Sequence, residues 1–353
     1  MTAFRSLIGG GVAALAIAAA SQAQTIETTV KVEPGSLYQL VFNPADDTVL
    51  VAAVGPRDET RSVIARLNAD LTPAGLIDVS ASPLYGLGFN SRTQILYGGA
   101  FRSGAVDAVD VRTGQVVAHI TDGDDDSAHV REVVVDEARN KVYVTIVGGY
   151  AGDTSRPNRI WVIDGATHRL ERKIDAEVGG LTGAALDSAG ARLFVTGMTS
   201  ADIGVIDLQT GRTTARWPTQ SERPTNVAYD AQRGRLFVAS QGSGDLTVMN
   251  ANDGSIIRKV PTGDGALSVA HDAGNDRIYV ANRLAGTVTV VNGADYAVMA
   301  QLRTGTFPQT IAIDPETHAV YLANRARGLP RDAPAGTPVP DDPAGDTVVQ
   351  IRP

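Results

Sequence analysis

The chain has 353 residues, of which 43% are hydrophobic and 20% charged, with 37 glycines, 17 prolines and no cysteine. This is too apolar for a disordered chain and longer than the ~250–300 residues at which a single core stops growing; without cysteine it has no disulfide, thiolate metal site or cysteine nucleophile. A net charge of −8, from 31 Lys+Arg against 39 Asp+Glu, disfavours non-specific affinity for nucleic acid or anionic membranes.

Residues 1–23 have the layout of a secretory signal peptide. Arg5 and the amino terminus form a positive n-region, residues 7–20 an uncharged apolar run, and Ser21-Gln22-Ala23 places small residues ahead of a cut before Gln24. The run is shorter than the ~20 residues of a membrane-spanning helix, so no membrane insertion is expected after cleavage. Loss of Arg5 leaves 30 basic against 39 acidic side chains, a net charge of −9. The expected location is the periplasm.

From residue 24 onward the chain repeats. A short apolar strand recurs seven times, with its second residue at Leu50, Leu96, Tyr143, Phe194, Phe237, Tyr279 and Tyr321, at spacings of 46, 47, 51, 43, 42 and 42. A period in the forties with strand patterning and no helical periodicity predicts a propeller blade. Before each copy lies an inner strand ending in an amide or acid (Asn43, Asn90, Asp136, Asp187, Asp230, Asp272, Asp314), and after it two further strands joined at turns such as Thr113-Gly114 and Asp253-Gly254. The once-per-unit acids are read as turn caps rather than chemistry. The chain stops after a third strand at 346–351, and 25–32 supplies the missing fourth. The predicted fold is an all-β, seven-bladed β-propeller over 24–353, with four-stranded blades, the last closed by the N-terminal strand.

The copies Ile278-Tyr279-Val280-Ala281-Asn282 and Val320-Tyr321-Leu322-Ala323-Asn324, with Gly286-Thr287-Val288-Thr289-Val290-Val291-Asn292, resemble the YVTN family of β-propeller repeats. Residues 131–136, 182–188 and the Pro/Asp-rich insertion at 325–345 are similar to its periplasmic YncE-type branch. The resemblance implies a secreted binding or scaffold protein and names no reaction. The first two units depart from the repeat, with Leu50 and Leu96 where the others carry an aromatic residue.

Three enlarged loops project from one face: 121–131, 146–159 and 325–345, the last with five prolines and expected to be an extended flap. Aligned inner strands stack Tyr38, Tyr85, Arg131, Thr182, Thr225, Leu267 and Gln309 at the channel mouth, with Gln39, Gly86, Glu132, Gly183, Asn226, Ser268 and Thr310 one level below. Arg102, Arg283 and Arg325 follow second strands on the same side. The ligand-binding candidates are therefore Tyr38, Tyr85, Arg102, His129, Arg131, Glu132, Thr225, Asn226, Arg283 and Gln309, gripping a carboxylate or phosphate through arginine forks. A water-filled polar mouth is the competing reading.

Asp122, Asp124 and Asp126 alternate as in a calcium loop, but Ser127 and Val133 stand where its glycine and bidentate glutamate belong, so no metal is expected. His129 alone among five histidines is placed at the mouth. No catalytic motif and no cofactor site is visible. The favoured function is a monomeric, non-catalytic binding or interaction protein whose partner is a small anionic ligand or an envelope protein. Hydrolysis of lactone-like esters, with His129 or Glu132 as base and Arg131 polarising the carbonyl, is an alternative that strand alternation opposes, because it sends Arg131 and Glu132 to opposite sides. Nucleic-acid binding is a third reading.

Overall fold

The computed structural model describes residues 24–56, 60–101, 103–123, 129–148, 156–329, 337 and 340–352. The expected signal peptide, Arg102, Asp124 and Asp126, and the middle of the 325–345 insertion lie outside the described residues. No helix among the described residues is long and apolar enough to cross a membrane.

Seven four-stranded antiparallel sheets follow one another along the chain. The inner strand of each contacts the inner strand of the next, and Pro308–Ile313 of the seventh returns to Leu37–Asn43 of the first, which closes the ring around a central channel. The recurring second strands are apolar because both of their faces are covered by neighbouring blades. Thr48–Ala53 and Ile95–Ala100 are buried throughout. The outermost strands face solvent on one side and alternate accordingly, as in Arg212–Pro218. Leu50, Leu96, Tyr143, Phe194, Phe237, Tyr279 and Tyr321 are all buried, so the two leucines of the first blades fill the same inter-blade position as the aromatic rings.

The seventh blade closes as expected. Thr25–Lys31 pairs antiparallel with Thr347–Arg352, with Lys31 opposite Thr347 and Thr25 opposite Arg352. At the far end of each inner strand, the terminal amide or acid is buried and caps the following turn. Asn43 accepts from the Ala45 N–H at 3.0 Å, Asp187 from Gly190 at 2.9 Å, and Asp230 from Gln232 at 2.9 Å and Arg233 at 3.2 Å.

At the mouth end the inner strands do not alternate regularly. A β-bulge interrupts the register between Leu37 and Leu40, Val130 and Val133, and Leu181 and Ala184, with similar shifts at Pro224/Asn226, Ala266/Ser268 and Pro308/Ile311. The bulge re-aims two successive side chains. The expected separation of Arg131 and Glu132 to opposite sides is thereby corrected, since both line the same cavity.

Candidate functional site

The bulged ends and the loops joining second and third strands enclose a cavity of about 1590 Å³ at the channel mouth, with walls from all seven blades. Its floor is apolar: Ala184, Val227 and Val269, all buried, line it below the polar rings.

Just above that floor, polar side chains stitch neighbouring blades together. Thr310 accepts from the Leu40 N–H at 3.1 Å, and Asn226 Oδ1 from the Val269 N–H at 3.1 Å. Gln39 spans two blades: its Oε1 accepts from the Leu87 N–H at 2.9 Å, and its Nε2 donates to Glu132 Oε1 at 3.0 Å. Gly86 lies beneath this bridge, and a Cβ there would come within 2.1 Å of the Arg131 carbonyl. Burial pushes the Glu132 carboxyl up to about 6, against the opposing pull of the Gln39 hydrogen bond and the Arg131 charge.

One side of the mouth is an aromatic arc. Tyr38 and Tyr85 meet edge to face at 4.6 Å, Tyr85 and Phe101 at 5.9 Å, and Phe101 stacks on His129 at 5.0 Å. The Arg325 guanidinium lies 4.2 Å from the centre of the Tyr38 ring and caps the arc. Arg131 and Arg325 make no ion pair among the described residues. Besides Glu132, the acids Asp175, Glu177 and Glu222 line the cavity; Asp175 pairs with Arg159 at 3.2 Å.

Tyr38, Tyr85, His129, Arg131, Glu132, Thr225, Asn226 and Gln309 all line this cavity. Four of them already have protein partners: Glu132 accepts from Gln39 across blades. Thr225 is buried and donates to the Leu267 carbonyl at 2.9 Å, Gln309 is buried and donates to the Phe307 carbonyl at 3.1 Å, and Asn226 holds the neighbouring strand. Arg283 is displaced from the expected site: it lines a smaller pocket beside the channel and stacks on Phe307. Phe101 is the residue the sequence reading missed. A half-exposed phenylalanine directly after a second strand, where other blades place Met198 or Gln241, was the available signal.

Elsewhere several titratable groups are paired. Asp122 meets Lys173 at 3.1 Å, and His119 meets Asp107 at 2.5 Å on an outer strand. At the face opposite the mouth, Asp230, His271 and Asp276 gather their ligand-type atoms within 4.8 Å of one another. The Arg235 guanidinium occupies the position a cation would take, bonding Asp230 at 2.7 Å and Asp276 at 2.9 Å. Burial opposes ionisation of Asp276, but hydrogen bonds from His271 and Arg235 outweigh it and hold the carboxyl below its usual range. Together they form an inter-blade ion network.

No family model matches the chain. It is 28% identical over 205 residues to "Uncharacterized protein YncE" of Escherichia coli O157:H7, covering 56% of this chain and 55% of that protein. The protein of the same description from Escherichia coli strain K12 is 29% identical over 181 residues, 49% of this chain and 48% of the relative. The one from Salmonella typhi is 35% identical over 118 residues, 32% and 31% of the two chains. At its most extended the match spans about half the length of these curated relatives. With seven four-stranded blades closed into a ring, the chain is a seven-bladed β-propeller whose sequence is similar to YncE over about half of that protein's length.

Proposed function

We propose that the chain is a non-catalytic binding protein whose channel mouth takes a small ligand with a flat ring and an anionic group. The observation that carries this reading is the arc from Arg325 through Tyr38, Tyr85 and Phe101 to His129. Its rings offer faces and edges for stacking, and Arg325 and Arg131 offer guanidinium donors at either end. Phe101 is 37% exposed, and a ligand on the arc would cover it. The periplasm is the proposed compartment, reached through the leader at 1–23, and a monomer the proposed state.

A thermal-shift screen of the purified protein against aromatic carboxylates, phosphates and short oligonucleotides tests the reading. At about one hundred times Kd a ligand adds about 2.7 kcal/mol of stability, enough for a rise of several degrees. The rise is expected to disappear in Tyr85→Ala and to weaken in Arg131→Ala. A flat response to every compound would overturn the small-ligand reading and leave an envelope protein as the partner. A response confined to oligonucleotides would favour nucleic-acid binding.

One observation supports a second reading. Glu132 is a cavity carboxyl with its pKa near 6, and the bulge puts Arg131 in the same cavity, so a base and a carbonyl-polarising group are both available for hydrolysis of lactone-like esters. Turnover of simple lactones that is abolished in Glu132→Gln would replace the binding reading with this one.

A further inference from the structure

Beside the channel, between the sixth and seventh blades, lies a second cavity of about 380 Å³, a size usual for small-molecule sites. Its polar wall is built from Arg283, Arg303 and Arg327 and its apolar wall from Phe307 and Leu284, and among the described residues no carboxylate lines it. Among the described residues none of these three guanidiniums forms an ion pair or a side-chain hydrogen bond. Arg192, Arg216 and Arg235, on the fourth and fifth blades, each pair with a buried aspartate.

Phe307 positions two of the three cations. The Arg283 guanidinium lies 4.5 Å and that of Arg327 5.3 Å from its ring centre. Stacking of this kind orients the planar group while leaving its N–H donors unspent. The adjacent acid, Asp342, is occupied otherwise: its carboxylate accepts from the Thr306 hydroxyl at 2.8 Å and from the Arg327 N–H at 3.1 Å. Loss of hydration and the nearby charge of Arg325 lower Arg283 to about 10, so the pocket gathers cations that an incoming anion would relieve. Leu284, 59% exposed, forms an apolar lip.

We propose that this pocket binds a phosphomonoester dianion, with the phosphoryl group held by Arg283, Arg303 and Arg327 and the organic part against Phe307 and Leu284. Guanidinium forks match phosphoryl oxygens two at a time, and three uncompensated cations favour a dianion over a monoanion. The site is independent of the channel-mouth reading, because no residue of the tyrosine arc lines it.

Isothermal titration of the purified protein with phenyl phosphate, methyl phenyl phosphate and inorganic phosphate tests the proposal. Phenyl phosphate is expected to bind one to one, at least tenfold tighter than the monoanionic diester and tighter than inorganic phosphate. Arg303→Gln and Arg327→Gln are each expected to weaken it at least tenfold, and Tyr85→Ala to leave it unchanged. Arg303 and Arg327 are exposed, so the variants keep the fold, checked by unchanged circular dichroism. Equal affinity for inorganic phosphate overturns the role given to Phe307 and Leu284. Absence of saturable binding, or binding unaffected by both arginine variants, overturns the site. Binding lost in Tyr85→Ala alone would overturn it too, by moving the ligand to the channel mouth.

Discussion

Glu132 shows how a single residue acquires its chemistry from its neighbours. Its carboxyl faces the channel cavity and receives Gln39 Nε2, and burial raises it to about 6 from an ordinary 4.5. A carboxyl whose folded value lies above its unfolded one keeps its proton in the folded state where the unfolded chain has already lost it. Stability therefore falls as pH rises from about 4.5 through about 6, by up to about 2 kcal/mol. Glu132→Gln keeps the acceptor for Gln39 and removes the charge. Urea unfolding of the variant is expected to match the parent near pH 4 and to exceed it by about 1–2 kcal/mol at pH 8. Equal stabilities at pH 8 would show that the carboxyl ionises there without cost. Glu132 was legible as a mouth residue from its place in the repeat. Its shifted acidity was not, because the burial that raises it is supplied by a cavity walled by all seven blades, which exists only in the closed ring.

At the scale of the element, the inner strand determines the site. Repeat alignment placed Tyr38, Tyr85, Arg131 and Gln309 at one level, and all four line the same cavity. It failed over which way neighbouring side chains point, since a bulge inserts a residue without any marker in the local pattern. Glycines at this level have a steric reason that only the neighbouring strand explains. At Gly86 a methyl group would run into the Arg131 carbonyl, and at Gly183 it would sit 2.6 Å from Asn226 Cα. Gly86→Ala is expected to cost about 1–3 kcal/mol in denaturant unfolding, the range for overpacking against a part that cannot yield. Gly328→Ala, with open space around it, serves as the control and is expected to change nothing measurable.

For the whole molecule, closure of the ring is the decisive feature. Without Thr25–Lys31, the edge of Thr347–Arg352 would present unpaired backbone groups to other chains. Deleting residues 25–32 is expected to remove a large part of the ~5–15 kcal/mol by which folded proteins are stable and to cause concentration-dependent association. Thermal melts and light scattering check this; an unchanged melt and a monodisperse monomer would contradict it. The number of blades, their four strands, the capping role of the terminal acids and the pairing of the two chain ends were all determined by the sequence alone, because each depends on patterns that recur every forty-odd residues and on turns closed by neighbours two or three positions away. The aromatic arc, the Gln39–Glu132 bridge and the arginine pocket on Phe307 were decided only by the tertiary structure. They join residues of different blades, and which side chains meet across a ring depends on bulges and blade packing that no local periodicity encodes.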